Sequence, residues 1–252
     1  TCFSVWSNGQ VVNIVPYVFP DNPTSWIEMS KPSNSTTFTA PEDGWFQFIG
    51  IAASGKAGSD NWAKSSSREW YAAGGGGGGG AGGIVVSIFP LYKGETVSIS
   101  ISKNVTISHD GETATATSGG VGGNGSTSGS MGLHGIGGSG GNGGSASGGN
   151  TANQPGSRGG TGGSGESESK SQALAQATKG SSVSNNYNGY ITKSQGNGNS
   201  SNPTSAYAVI LRGNTNIPLD QRNALDITSM FLNVSELQQM QTDILMGNIS
   251  VD

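Results

Sequence analysis

Apolar and polar positions alternate most cleanly in Thr96-Val97-Ser98-Ile99-Ser100-Ile101. That period of two predicts a strand with one covered face. Elsewhere the apolar positions run together. Trp45-Phe46-Gln47-Phe48-Ile49-Gly50-Ile51-Ala52-Ala53 follows the turn Glu42-Asp43-Gly44 and reads as a strand, as does Ile84-Val85-Val86-Ser87-Ile88-Phe89-Pro90. Stretches 105–108 and 113–117 flank His109-Asp110-Gly111-Glu112 and read as a hairpin. Ala206-Tyr207-Ala208-Val209-Ile210-Leu211 is a closing strand that ends at Arg212-Gly213. Near the start, Phe3, Val5 and Trp6 precede Asn8-Gly9, a hairpin turn signal, and Val11, Val12, Ile14, Val15, Tyr17, Val18 and Phe19 follow it. Pro16, Pro20 and Pro23 restrict this region to an edge or an extended arm.

Helical spacing appears twice. Ala173, Leu174, Ala175 and Ala177 predict a short helix within 171–179. In the tail, Met230, Val234, Leu237, Gln241 and Ile244 form one stripe, with Phe231, Met240 and Leu245 beside it. Ser235 suits its N-cap and Gly247 its stop. A helix of about three turns is marginal alone. It is expected to pack on the domain or on copies of itself, with Met230, Val234, Leu237 and Ile244 as assembly residues.

A third periodicity organises the centre of the chain. Gly129, Gly132, Gly135, Gly138, Gly141 and Gly144 keep a strict register of three, and Gly137, Gly140 and Gly143 fill the neighbouring register. The resulting G-G-x phrase recurs at 119–125 and 159–165, and 74–83 is glycine throughout except Ala81. An extended left-handed helix of the polyproline-II type has three residues per turn and no internal hydrogen bonds. Glycine at two places of three leaves two bare faces, on which other backbones can supply the missing partners. The pattern therefore predicts packed glycine helices. A Gly/Ser linker is the plainer reading of the same composition, but its glycines would not keep this register.

Composition sharpens this picture. Apolar residues other than glycine make up 32% of 252 residues, against 44 glycines, so the side-chain core is thin and backbone packing supplies part of the cohesion. Only 11% of residues are charged and the net charge is −4, which argues against nucleic-acid binding. No apolar run approaches the ~20 residues of a membrane span. The single cysteine, Cys2, allows no intrachain disulfide and, without a second cysteine beside it, points to no metal site.

Candidate chemistry is sparse. His109 and His134 read as turn or surface residues. Glu166 and Glu168 read as solvated carboxylates in a Ser-rich loop, without the apolar walls that would raise a pKa. Glycine-rich phosphate-loop matches carry no information in a glycine-rich chain, and no G-K-[ST] follows them. The expectation is a protein that is not an enzyme and needs no cofactor or metal. Binding has more support. Trp62, Trp70, Tyr71, Tyr187 and Tyr190 lie in segments read as loops among Ser, Asn and Gly. Exposed aromatics of this kind give large contact area for little rotamer entropy, so they are the candidate receptor-binding residues. The plainer reading has them covering the edge of the core.

The phrases Phe38-Thr39-Ala40-Pro41-Glu42-Asp43-Gly44-Trp45, the 74–83 run followed by Ile84-Val85-Val86, and Lys93-Gly94-Glu95-Thr96-Val97-Ser98-Ile99 occur in that order, with a Gly-rich insert and the closing strand at 206–211. This order resembles the glycine-rich domains of phage tail proteins, and the G-G-x tracts are similar to those of the tip adhesins on T-even long tail fibres. The strands at 36–53 and 84–117 depart from the T-even pattern. The resemblance implies a mainly β fold: β-sandwich strands combined with a packed bundle of polyglycine-II helices, plus a short C-terminal α-helix. Three regions are expected: an arm or attachment segment at 1–35, a glycine-rich domain at 36–213 and a helical tail at 214–252. The resemblance further implies a structural virion protein of the tail, a tail-fibre or tail-tip adhesin. Its partners would be other tail proteins or copies of itself, as a trimer, and a bacterial surface polysaccharide or protein. An antifreeze-type glycine-helix protein is the alternative, against which the mixed third positions Val121, Asn124, Ser139, Asn142, Thr161 and Ser164 speak. A tail-spike depolymerase would need a carboxylate cluster that the sequence does not display.

Overall fold

A computed structural model describes residues 3–7, 10–14, 22–130, 133–196 and 201–214. Two compact units are present: one comprises 1–25 and 214–252, the other Trp26–Gly213. In the first, strands β1 (Phe3–Ser7) and β2 (Gln10–Ile14) pair antiparallel with Ser7 opposite Gln10. Cys2, the prolines at 16 and 20, and the tail stripe Met230, Val234, Leu237 and Ile244 lie outside the described residues.

The second unit holds β3 (Trp26–Ser30), β4 (Thr36–Thr39), β5 (Gly44–Ile51), β6 (Asn61–Lys64), β7 (Tyr71–Gly74), β8 (Ile84–Leu91), β9 (Thr96–Ile101), β10 (Val105–His109) and β11 (Glu112–Ala116). These are followed by β12 (Ser126–Ser128), β13 (His134–Ile136), β14 (Ala146–Ser147), β15 (Ala152–Gln154), β16 (Ser164–Ser167), α1 (Lys170–Gln176), β17 (Ser184–Tyr187), β18 (Tyr190–Lys193) and β19 (Tyr207–Gly213). Since β3 pairs with β19, residues from Trp26 onward belong to this unit and not to an arm ending at 35.

The fold is mainly β. Two five-stranded antiparallel sheets, ordered β15-β8-β5-β19-β3 and β14-β11-β10-β9-β4, form a sandwich. Phe46, Phe48, Val85, Phe89 and Ile210 of the first meet Val97, Ile99, Val105, Ile107 and Ala114 of the second. Phe38 closes the edge, 5.2 Å from Phe46 and 5.4 Å from Phe48 between ring centroids. The sheets approach closely at Gly50, where a side chain would press on Val105, Val85 and Ile107. The first sheet is covered on its other face too. There Ile49, Ile51, Ile84, Val86, Val209 and Leu211 lie beneath Trp26, Tyr187, Tyr190 and Tyr207. Burial of both faces explains why β5 and β8 are near-continuous apolar runs. In β9 only one face is covered, and its residues alternate exposed and buried. The hairpin turn Asp110-Gly111 has positive φ at both residues (46° and 80°), the two-residue turn that matches strand twist.

Between β7 and β8 the glycine run crosses the unit without strand structure. Each of the nine N–H groups from Gly75 to Gly83 is paired, and in two of the three registers the partner segment repeats every three residues. Gly75, Gly78 and Ala81 donate to the carbonyls of Gly163, Gly160 and Ser157. Gly77, Gly80 and Gly83 donate to those of Gly123, Gly120 and Thr117. Gly76 and Gly82 donate to side chains, Asp60 Oδ1 (2.9 Å) and Ser54 Oγ (3.0 Å), and Gly79 to the carbonyl of Gln195. Carbonyls along the run accept from Gly138, Gly141 and Gly144, from Gly55 and Gly58, and from Gly180. The run is thus ringed by six segments, near residues 54–60, 117–125, 137–144, 156–163, 178–181 and 195. Consecutive segments of the ring are themselves bonded, for example Gly120 to Asn142 and Gly159 to Gly141. Three of these segments, near 54–60, 178–181 and 195, were not among the tracts singled out from the sequence.

The absence of side chains is what permits this packing. A Cβ at Gly80 would fall far inside van der Waals contact with the Asn142 carbonyl, whereas one at Gly44 finds its nearest atom, on Phe46, at 3.9 Å. Gly80→Ala is therefore expected to destabilise by about 3 kcal/mol or more, since backbone must move. Gly44→Ala should stay within about 1 kcal/mol of the parent. Equilibrium denaturant unfolding of the two variants measures the contrast, and equal losses would contradict the packing described.

Candidate functional site

The chain enters the glycine run from β7 and leaves it into β8. The three-stranded sheet β16-β7-β6 therefore lies at the entry to the run and the sandwich at its exit. Gly74, at the junction, has the backbones of Ser126 and Ile136 against it, which brings β12 and β13 to the same end. Pairing of β6 with β7 sets Trp62 opposite Ala73 and Lys64 opposite Tyr71, so these four residues share one face. Helix α1 packs on that face. Ala173 and Ala177 are buried against Ala73, with Tyr71 and Leu174 at the margin.

On this face Trp62 and Tyr71 stand 6.3 Å apart between ring centroids, and Trp62 remains 42% exposed. Cations lie over the rings. Lys170 Nζ is 3.5 Å from the centroid of Trp62 and Lys64 Nζ 5.6 Å from that of Tyr71. Arg68, in the β6–β7 connection, lies 5.1 Å from the ring of Trp70. Lys64 also donates to Glu69 Oε1 at 2.6 Å, and this bond raises the ammonium above its ordinary pKa. Beside the sheet, His134 Nδ1 lies 2.8 Å from Glu166 Oε1, and the Glu166 N–H donates to Gln176 Oε1. Glu166 is thus a strand residue with a partner, not the solvated loop carboxylate expected, because β16 pairs along β7. His109 packs against Phe89, 4.9 Å between centroids, with Nδ1 2.9 Å from the Thr96 carbonyl.

Trp62 and Tyr71 lie in strands, not in the loop expected at 54–73. Tyr187 and Tyr190 are displaced further from expectation. Asn188-Gly189 is a two-residue turn with φ of 49° and 88°, but its flanking tyrosines fold back over the outer face of the first sheet. The Tyr190 hydroxyl donates to Glu28 Oε2 (2.7 Å), Lys31 Nζ lies 5.0 Å from its ring, and the Tyr207 hydroxyl donates to the Ile191 carbonyl (3.1 Å). Gln47 Nε2 approaches the Tyr187 hydroxyl at 3.4 Å. The five candidate aromatics therefore form two groups, Trp62, Trp70 and Tyr71 beyond the glycine run and Tyr187 and Tyr190 on the sandwich. Sequence reasoning missed the cations Lys64, Arg68 and Lys170. Only the hairpin register and the packing of α1 bring Lys64 and Lys170 to the rings. Among the described residues no group of three or more His, Cys, Asp or Glu could hold a metal ion. No family model, curated protein or solved structure matches the chain.

Burial, and then the bond to the Glu28 carboxylate, push the Tyr190 phenol up to about 12, against about 10 for an ordinary tyrosine. The fold thus favours the neutral phenol. Its contribution to stability is full below about pH 10 and is lost as pH rises through about 12. Spectrophotometric titration should show a tyrosine ionising near pH 12 that is absent in Tyr190→Phe. The variant should also lose less stability than the parent between about pH 10 and 12. Identical titrations would contradict this placement.

Proposed function

We propose that this chain is a structural component of a phage or phage-like tail, a tail-fibre or tail-tip adhesin without enzymatic activity. Its glycine segments act as a rigid spacer, packed as a polyglycine-II bundle, and the sheet beyond them meets a bacterial surface. The observation that carries the reading is the period of three in the donors from Gly75 to Gly83, two of whose three registers return to one neighbour each, 157–163 and 117–123. A three-residue turn without internal bonds requires this pattern. Because every donor is bound to a different segment from the one before, bending the run breaks several bonds at once. A stiff spacer with aromatic side chains at one end suits a protein that must present a contact surface away from its attachment. The arm before Trp26 and the tail at 214–252 are proposed to attach the chain to other tail proteins or to copies of itself, as a trimer. Trp62, Trp70 and Tyr71 are proposed as the receptor-facing set. Tyr187 and Tyr190, half-buried on the sandwich, are proposed to secure the hairpin over the sheet.

Two measurements test this reading. Scalar couplings across hydrogen bonds should connect the amide of Gly78 to the carbonyl of Gly160, that of Gly80 to Gly120 and that of Ala81 to Ser157; their absence would remove the bundle. Fluorescently labelled chain should be retained on whole cells of at least one strain in a panel of Gram-positive and Gram-negative bacteria. Trp62→Ala should lower that retention by roughly tenfold, as loss of a central aromatic does, and Tyr187→Phe should leave it unchanged. Retention unaffected at Trp62 would reject the receptor-facing assignment.

A further inference from the structure

The sheet beyond the glycine run combines two features that together select a ligand. One is a partly exposed indole with a second ring beside it: Trp62, 42% exposed, and Tyr71, 6.3 Å away. The other is the cation over that indole, with Lys170 Nζ 3.5 Å from the ring centroid. Glu69 is paired with Lys64 and Glu166 with His134. Among the described residues Lys170 enters no ion pair, so the indole is its recorded charge-stabilising contact.

This arrangement discriminates between ligands. A sugar that stacks its C–H face on the side of the indole beneath Lys170 must displace the ammonium from the ring. A neutral sugar offers that ammonium nothing in exchange for the cation–π contact it gives up. A sugar with a carboxylate at the edge of its ring offers a charge-assisted hydrogen bond to the same lysine, whose long flexible stem lets the ammonium swing aside. A flexible anionic polymer without rings, such as poly(glycerol phosphate), could pair the lysine but would leave the indole face uncovered. We infer that Trp62, Tyr71 and Lys170 form a subsite for a uronic acid unit of an acidic polysaccharide, with the pyranose face on Trp62 and the carboxylate on Lys170. The inference rests on the adhesin reading and adds the chemical class of the receptor.

The test uses the full chain with hexagalacturonate as probe and maltohexaose and poly(glycerol phosphate) as controls. Binding is followed by calorimetry and by the NMR shift of the Trp62 indole N–H. Hexagalacturonate should bind saturably, move that resonance, and bind more weakly as ionic strength rises. Trp62→Ala should weaken binding roughly tenfold or more. Lys170→Gln, an exposed change that leaves the fold in place, should weaken it by about threefold or more, and Lys170→Arg should largely restore it. Equal affinity for maltohexaose, preference for poly(glycerol phosphate), or an unmoved indole resonance would each overturn the assignment. Retention on cells that excess hexagalacturonate does not reduce would overturn this assignment alone. A chain that titrates with hexagalacturonate but is retained by no cells would overturn the adhesin reading alone.

Discussion

The backbone donors of residues 75–83 have no strand partner and no helical partner, yet all are bonded. A buried N–H without an acceptor costs more than most single contacts return. The run can therefore stay buried only if its neighbours place an acceptor in three directions in turn. Four segments of the chain do so, near 54–60, 117–123, 157–163 and 195, the first of them through two side chains: Asp60 and Ser54 stand where a carbonyl would otherwise be needed. Ser54 is held in place by Thr192, 2.7 Å away and buried. The requirement reaches through the unit, because the segments that supply acceptors are the connections between its sheets.

The sandwich solves a different problem with ordinary means. Its first sheet is apolar on both faces, so the second sheet alone cannot cover it. The β17–β18 hairpin, with Trp26 and Tyr207, closes the outer face. Tyrosines suit this place, since their rings cover isoleucine and valine while their hydroxyls reach Glu28 and the Ile191 carbonyl at the rim. The two halves of the unit are joined by continuous chain. β5 passes directly into the segment 54–60, and the glycine run passes directly into β8. Backbone packing in one half thus continues into side-chain packing in the other.

That continuity bears on the proposed role. Flexible attachments lower the cost of reaching a surface but lose orientation, whereas a spacer bonded along its whole length holds the sheet β16-β7-β6 in one attitude. The aromatic face beyond it is small. Its rings are fixed by register and by α1, and the mobile partners in any encounter are the lysine side chains. A surface of this sort favours a repeated, simple epitope over a large complementary protein face.

Much of this was legible in the chain itself. The alternation at 96–101, the apolar runs at 45–53 and 84–90, and the Asp110-Gly111 and Asn188-Gly189 turns each carry their structure locally, through side-chain period or through permitted φ. The register of three in glycine marked the tracts at 74–83, 119–125, 137–144 and 159–165. It left out the segment holding Gly55 and Gly58 and that holding Gly180, because their glycines are too scattered to display the register. Nor could sequence place Tyr187 and Tyr190. Asn-Gly correctly marks the turn between them, but whether flanking tyrosines face water or a sheet depends on what that sheet lacks. Lys170 and Trp62 likewise meet only because α1 packs on Ala73. Local pattern carries the properties set by each residue and its near neighbours: strand period, turn type and where backbone may approach backbone. Tertiary structure alone decided which segments supply the acceptors and which side chains share a face, because hydrogen bonds and ring contacts between distant segments depend on positions that no local pattern encodes.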